Sequence, residues 1–123
     1  MHLIIDTHIF LWALSDPETI APNQRAFIED TANTVYVSAI SIAEIMIKQS
    51  IGKLAVDFEP TKTAIQTGFN LLDFTAQDAT LLRSLPLHHK DPFDRMLIAQ
   101  SINNGFPIVT NDNKFPAYPC ELI

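Results

Sequence analysis

Four short, mostly apolar runs recur along the chain, and a helical pattern follows each of the first three. The runs lie at residues 3–5, 35–37, 71–74 and 108–110. Short apolar runs between turn signals are typical of buried strands, so we interpret all four as strands. Helical spacing of apolar residues predicts helices over 7–14, 22–28, 41–51, 61–67, 75–82 and 92–104. Strands and helices therefore alternate along the chain.

Helix ends are marked by residues with special backbone preferences. Pro17 stops the first helical pattern, and Gly52 and Gly105 stand where left-handed C-caps would end two later helices. Thr75 and Asp78 have the spacing of a capping box at the start of the 75–82 helix. These signals divide the chain into short elements, with no repeat between them.

The order of the elements predicts the α/β class, with a central parallel sheet of four to five strands between layers of helices. Pro116 and Pro119 lack the backbone N–H that a strand ladder needs, so we expect the last segment to reach only a sheet edge. The length of 123 residues gives room for one domain, residues 1–123.

Composition narrows the class of protein. Hydrophobic residues make up 47% of the chain, which is typical of an ordered globular domain. The single cysteine, Cys120, rules out an intrachain disulfide and a cysteine-cage metal site, and it fits a reducing compartment. No apolar stretch reaches the roughly 18 residues of a membrane span, and no basic leader precedes Asp6. We therefore expect a cytoplasmic protein with no membrane attachment.

The charge balance is acidic. There are 14 Asp and Glu residues against 8 Lys and Arg, and the net charge is −6 at pH 7. Taken alone, this balance argues against a nucleic-acid partner, because such proteins usually present a basic surface. Any contact with phosphate groups would have to be local.

Several acidic residues follow the predicted strands, and each has an ordinary structural explanation. Asp6 could be the N-cap of the first helix, and Asp112 could belong to a turn. Asp91 has the position of an N-cap for the 92–104 helix, in which Asp94 then occupies the first turn. None of these residues indicates a functional site by itself.

Glu44 lies within a strongly apolar helix and shares one face with Ser41 and Lys48. One interpretation is an exposed stripe, with a Ser-x-x-Glu capping box and a Glu–Lys pair worth roughly 0.2–0.5 kcal/mol. The other is a carboxylate held on a rigid helix, with a lysine beside it to bind an anion.

The shared location of the acids favours a function. In a parallel α/β sheet, ligands bind at the carboxyl ends of the strands. Asp6, Asp94 and Asp112 are expected at this edge, and Glu44 follows the second strand closely enough to join them. Four carboxylates brought together would destabilise one another unless a cation offsets their charge. Mg²⁺ or Mn²⁺ with oxygen ligands is the expected cation, and such a site can support phosphodiester hydrolysis.

The chain resembles the PIN-domain ribonucleases over essentially its full length, and most closely the VapC-like toxins of type II toxin–antitoxin pairs. Four segments in this order carry the resemblance: Leu3-Ile4-Ile5-Asp6-Thr7-His8; Ser41-Ile42-Ala43-Glu44-Ile45 with Lys48 and Gly52-Lys53-Leu54; His88-His89-Lys90-Asp91-Pro92-Phe93-Asp94-Arg95; and Ile108-Val109-Thr110-Asn111-Asp112 with Phe115 and Tyr118. It implies a parallel sheet between helices.

The resemblance also implies a set of site residues. The Mg²⁺ or Mn²⁺ pocket would comprise Asp6, Glu44, Asp94 and Asp112, with Asp91 as an additional acid. Thr7, Ser41 and Thr110 are expected to support these acids. By their closeness in sequence to the pocket, the candidates for contact with RNA phosphates are Lys48, Lys90, Arg95, His88 and His89.

The implied function is RNA cleavage by a homodimeric toxin that a small VapB-type antitoxin holds inactive. Three alternatives stay open: a PIN nuclease of RNA processing without an antitoxin, a receiver domain, and a binding module without catalysis. A receiver would need an acid pair at the first strand and a phospho-acceptor near mid-chain. Here the first strand has one acid, and no strong strand precedes Asp57.

Overall fold

A computed structural model describes residues 1–123 and contains four strands and six α-helices. The strands are β1 (His2–Ile5), β2 (Thr34–Ser38), β3 (Asn70–Leu72) and β4 (Ile108–Val109). The helices are α1 (Thr7–Ser15), α2 (Pro22–Glu29), α3 (Ala39–Ser50), α4 (Pro60–Thr67), α5 (Ala76–Thr80) and α6 (Pro92–Asn104). Short 3₁₀ turns lie at Pro17–Thr19, Leu81–Arg83 and Phe115–Ala117. The predicted α/β class and the alternation of elements are confirmed.

All four strands are parallel and lie in the order β3-β2-β1-β4. The first strand of the chain is therefore central, with β2 on one side and β4 on the other. Beyond β4, Leu122 forms a single parallel bridge with Ile108, so the last segment reaches only the edge, as its prolines predict. Because every strand runs the same way, all four carboxyl ends meet at one edge of the sheet.

The apolar residues of the strands alternate between two cores, one on each face of the sheet. Leu3 and Ile5 face the core that contains Phe10 of α1. Ile4, between them, faces the second core with Leu97 of α6. A parallel sheet covered on both faces needs apolar residues at successive positions, which explains the continuous runs in the sequence.

Several predicted boundaries were wrong, and one of the errors bears on the site. The third helix, expected from residue 41, begins at Ala39, and Ser38 is its N-cap, with Oγ accepting from the Ile40 N–H at 3.1 Å. Ser41 therefore lies inside the helix, and the Ser-x-x-Glu capping box does not form. Ser41 is 0% and Glu44 3% exposed, so the exposed-stripe interpretation is also wrong.

Other differences are smaller. The third strand ends at Leu72 rather than at residue 74, and the helix expected over 75–82 is α5 followed by a 3₁₀ turn. Gly52 and Gly105 have φ angles of +73° and +68°, as expected of left-handed residues at helix ends. None of the helices has the length and apolar character needed to cross a membrane.

The capping box at the start of α5 is present and is tied to α6. Thr75 Oγ1 accepts from the Asp78 N–H at 3.1 Å, and Asp78 Oδ2 accepts from the Thr75 N–H at 2.9 Å. Asp78 is only 1% exposed, and its Oδ1 also accepts from the amides of Asn103 and Asn104, at 2.7 and 3.1 Å. This acid holds two helices together.

We expect Asp78→Ala to lower the free energy of unfolding by about 1–3 kcal/mol, because it removes the buried acceptor shared by the Thr75 N–H and the amides of Asn103 and Asn104. Urea unfolding followed by circular dichroism measures the change. Gln77→Ala, at the exposed neighbouring position, is the matched control and should have little effect. An equal loss in both variants would contradict the role given to Asp78.

Candidate metal and active site

The four predicted acids come from four different parts of the fold and converge at the carboxyl edge of the sheet. Asp6 directly follows β1, and Asp112 follows β4. Glu44 lies in α3, which begins where β2 ends, and Asp94 lies in the first turn of α6. The parallel topology thus places all four acids at one edge. Asp94 and Asp112 lie in one tight group of possible ligand atoms with His89, and Asp6 and Glu44 lie outside that group.

Asp6 is both a helix cap and a member of the acidic edge. Its Oδ1 accepts from the Ile9 N–H at 2.8 Å, and its Oδ2 accepts from Thr110 Oγ1 at 2.5 Å. Burial raises the pKa of Asp6, and the hydrogen bond from Thr110 works in the opposite direction. The structural and the functional explanations of Asp6 are therefore compatible, since the two oxygens have different partners.

Both oxygens of Glu44 have donors. Thr7 Oγ1 donates to Oε1 at 2.7 Å and lies 2.9 Å from Ser41 Oγ, and Lys48 Nζ donates to Oε2 at 2.6 Å. The hydrogen bond to Glu44 raises the pKa of Lys48, with smaller contributions from Asp91 and Asp94. Lys48 is thus a positive charge directed at the acidic edge.

Asp94 and Asp112 meet at the ring of His89. His89 Nε2 lies 2.8 Å from Asp94 Oδ2 and 3.3 Å from Asp112 Oδ2. Burial raises the pKa of Asp94 to about 7, with further increases from the charges of Asp91, Glu44 and Asp112 and an opposing effect of His89. A bound cation would stabilise the ionised form of Asp94 and so lower its pKa.

The donor set fits a divalent cation. Carboxylate oxygens of Asp94 and Asp112 lie within 4.8 Å of each other and of a ring nitrogen of His89. Carboxylate oxygens are the ligands that Mg²⁺ and Mn²⁺ prefer, and the acids here carry more negative charge than Lys48 alone offsets.

Asp91 and Asp112 also form the helix cap and the turn expected of them from the sequence. Asp91 Oδ1 accepts from the N–H groups of Phe93 and Asp94, at 2.8 and 3.3 Å, and so caps α6. Asp112 Oδ1 accepts from the Lys114 N–H at 2.8 Å, which closes a turn. These backbone contacts fix where each carboxylate points.

An open groove of about 450 Å³ lies beside Asp6 and Asp112, lined also by His8, Trp12, Asn111 and Asn113. No role at the site was predicted for these four residues from the sequence. The position of Trp12 one helical turn after His8, on the same face of the first helix, was the only signal that could have included it. A second cavity, of about 480 Å³, lies near the amino ends of β2 and β3 and contains none of the clustered acids.

The expected phosphate contacts divide into two groups. Lys90 and His88 are exposed and available, and Lys48 is partly exposed. Arg95 is instead engaged within the chain, because its guanidinium donates to the Pro86 carbonyl at 2.9 Å and to Tyr118 Oη at 3.2 Å. His89 is only 6% exposed and faces the acids. Arg95 and His89 therefore have structural partners that the sequence did not indicate.

Comparison with known proteins agrees with this architecture. Residues 3–119 match the model of the PIN domain family, so the chain belongs to that family. Membership implies a nuclease, a hydrolase of phosphodiester bonds, and it overturns the receiver interpretation. Asp57, the possible phospho-acceptor, is exposed and lies in the irregular segment between α3 and α4. No curated protein sequence matches the chain.

The fold is also similar to that of chains in solved VapBC structures. One is VapBC2 from Rickettsia felis bound to a DNA fragment from their promoter, with a TM-score of 0.75, 19% identity and coverage of 100% of this chain and 98% of that one. Another is VapBC-5 from Mycobacterium tuberculosis, a member of the VapBC family of toxin–antitoxin systems. There the TM-score is 0.62, the identity 18%, and the coverage 99% and 95%.

The raised pKa of Asp94 predicts a pH-dependent stability of the metal-free protein. Between the ordinary value of 3.8 and about 7, the folded state binds more protons at this group than the unfolded state. This contribution therefore makes stability fall as pH rises through that window. We expect Asp94→Asn to raise Tm at pH 8 by several degrees and much less at pH 4, since about 1 kcal/mol shifts Tm by roughly 2–8 °C.

Thermal unfolding of dialysed, metal-free protein at both pH values measures this difference. Asp73→Asn is the matched control, because Asp73 also follows a strand but is exposed. A stability gain in Asp94→Asn that is the same at pH 4 and pH 8 would show that ionisation of Asp94 is not its cause.

Proposed function

We propose that this chain is a Mg²⁺- or Mn²⁺-dependent endoribonuclease. The observation that carries the proposal is the convergence of Asp6, Glu44, Asp94 and Asp112 at one edge of the sheet, beside an open groove. These four acids would hold the cation, with Asp91 as a further candidate. A divalent cation bound there would lower the pKa of a water and stabilise the charge that develops on the phosphate during hydrolysis.

The chain's own residues orient the side chains that would hold the cation. Thr7, Thr110 and Lys48 hold the side chains of Glu44 and Asp6 in fixed orientations, so the ligand oxygens need not reorganise. Water adds to the phosphorus, and one bond between phosphorus and a ribose oxygen breaks. No side chain is assigned as the general base.

Contact with RNA would be local, because the protein as a whole is acidic. Each divalent cation adds two positive charges to −6, so one leaves −4 and two leave −2. Lys48, Lys90 and His88 are the available phosphate contacts. Trp12, at the groove, offers a ring on which a base could stack, an interaction worth about 1–3 kcal/mol.

We further propose that the protein is the toxin of a toxin–antitoxin pair, with a small VapB-type antitoxin as its partner. The similarity of its fold to chains of VapBC structures supports this. The proposal includes a homodimer that acts in the cytoplasm, where RNA substrates lie. The second candidate is a PIN nuclease of RNA processing without an antitoxin, which the family match supports equally.

Purified protein should cleave a mixed RNA panel that includes tRNAs, at discrete positions and only with Mg²⁺ or Mn²⁺. We expect EDTA to abolish cleavage and Asp94→Asn to reduce it at least about 100-fold, since the carboxylate that holds the cation is lost. Asp73→Asn should cleave like the wild type. Cleavage that persists in EDTA and in Asp94→Asn would place the activity outside this site. Absence of cleavage together with absence of divalent-ion binding by calorimetry would favour the binding-module alternative.

Expression in a bacterial host separates the two biological proposals. Induction of the wild type should arrest growth, Asp94→Asn should not, and Asp73→Asn should behave like the wild type. Coexpression of a small open reading frame adjacent to the native gene should restore growth. A chain that cleaves RNA in vitro but does not slow growth when induced would favour the RNA-processing nuclease.

A further inference from the structure

We propose that His89 is a positioning residue, which holds Asp94 and Asp112 at metal-ligand spacing through a proton on Nε2 and does not itself bind the metal. This inference rests on the proposed metal site. It gives His89 a role different from the phosphate contact expected from the sequence.

The hydrogen bonds of the ring indicate its tautomer. His89 Nδ1 accepts from the Asp91 N–H at 3.3 Å, so it carries no proton. In the neutral ring the proton is then on Nε2, which lies 2.8 Å from Asp94 Oδ2 and 3.3 Å from Asp112 Oδ2. In this state Nε2 is a hydrogen-bond donor, and a metal ligand would need its lone pair.

The ring has little freedom to turn away. His89 is buried, and its ring lies edge-on to that of Phe115, with centroids 6.2 Å apart and planes at 69°. Rotation of the ring would break the bond to Asp91 as well as those to the two acids. The contacts therefore fix both the position and the direction of the Nε2 proton.

The backbone that carries His89 is fixed by one hydroxyl group. Tyr118 Oη accepts from the N–H groups of His88 and His89, at 3.0 and 2.8 Å, and donates to the Pro86 carbonyl at 2.8 Å. Arg95 Nη1 also donates to Tyr118 Oη, at 3.2 Å. Tyr118 thus ties the turn that leads into α6, the helix of Asp94, to the segment after β4, which contains Asp112.

One donor shared by two carboxylates also leaves them able to bind a cation. An ionised carboxylate has about four acceptor positions, and the hydrogen bond to His89 uses one of them. The shared proton opposes the mutual repulsion that would otherwise separate Asp94 and Asp112. Partners of this kind typically change metal affinity by about 10–100-fold when they are removed.

The test measures Mn²⁺ affinity by calorimetry on the metal-free full chain, without RNA. We expect His89→Ala to weaken binding by about 10–100-fold. His89→Gln should stay within a few-fold of the wild type, because its amide N–H can donate from nearly the same place. Tyr118→Phe should weaken Mn²⁺ binding by less than His89→Ala does. His2→Ala is the control, because His2 lies at the amino end of β1, away from the acidic edge, and this variant should bind Mn²⁺ like the wild type.

Each other result has a defined meaning. Wild-type affinity in His89→Ala would overturn the positioning role. Equal losses in His89→Gln and His89→Ala would also overturn it and indicate a direct ligand. If the wild type itself binds no Mn²⁺, the proposed metal site is wrong and this inference falls with it. In the two results above, by contrast, the wild type binds Mn²⁺ and only the role of His89 is wrong.

A second measurement determines the tautomer of His89 in the wild type and needs a variant only to assign the signal. Two-bond ¹H–¹⁵N NMR spectra of the metal-free wild type report which ring nitrogen of each histidine is protonated, and His89→Gln identifies the signal of His89. We expect Nε2 to be protonated. Protonation at Nδ1 instead would overturn the inference, because Nε2 would then be free to bind the metal.

Discussion

Repulsion among carboxylates is the constraint on which this structure depends. Acids that ionise side by side at a partly buried edge would separate unless something holds them. The chain offsets this repulsion with hydrogen-bond donors directed at individual carboxylate oxygens. Thr7 and Lys48 donate to Glu44, Thr110 donates to Asp6, and the ring of His89 contacts Asp94 and Asp112. Burial and the charges of the neighbouring acids together still raise the pKa of Asp94, and a bound cation would oppose both effects.

The same donors explain why structural and functional interpretations of the acids are hard to separate in a sequence. A carboxylate has two oxygens, so Asp6 caps α1 with one and joins the acidic edge through the other. Asp112 divides its oxygens in the same way between a turn and His89. An acid used in this way satisfies the rules for caps and turns while it builds a site.

The apolar runs and their spacing were sufficient to predict the class of fold, the parallel sheet and the edge at which the acids meet. Those features follow from local patterns and from the rule that parallel strands end together. The contacts of His89 with Asp112 and of Tyr118 with His89 and Pro86 could not be predicted in this way, since they join residues 23 to 32 positions apart. The start of α3 was misplaced because Ser41 resembles a cap, whereas Ser38 takes that position and Ser41 is drawn into the core beside Thr7.

The central position of β1 has a consequence for how the protein matures on the ribosome. β1 is made before β2, β3 and β4, and it acquires its second neighbour, β4, only after the other two strands have been made. The bond between Thr110 and Asp6 spans 104 positions. Contacts this distant in sequence form late in folding. A nascent chain that has not yet exposed Asp112 therefore lacks part of its acidic edge, whatever helices it has already formed. Translation itself delays the appearance of the complete site until β4 and Asp112 have been made.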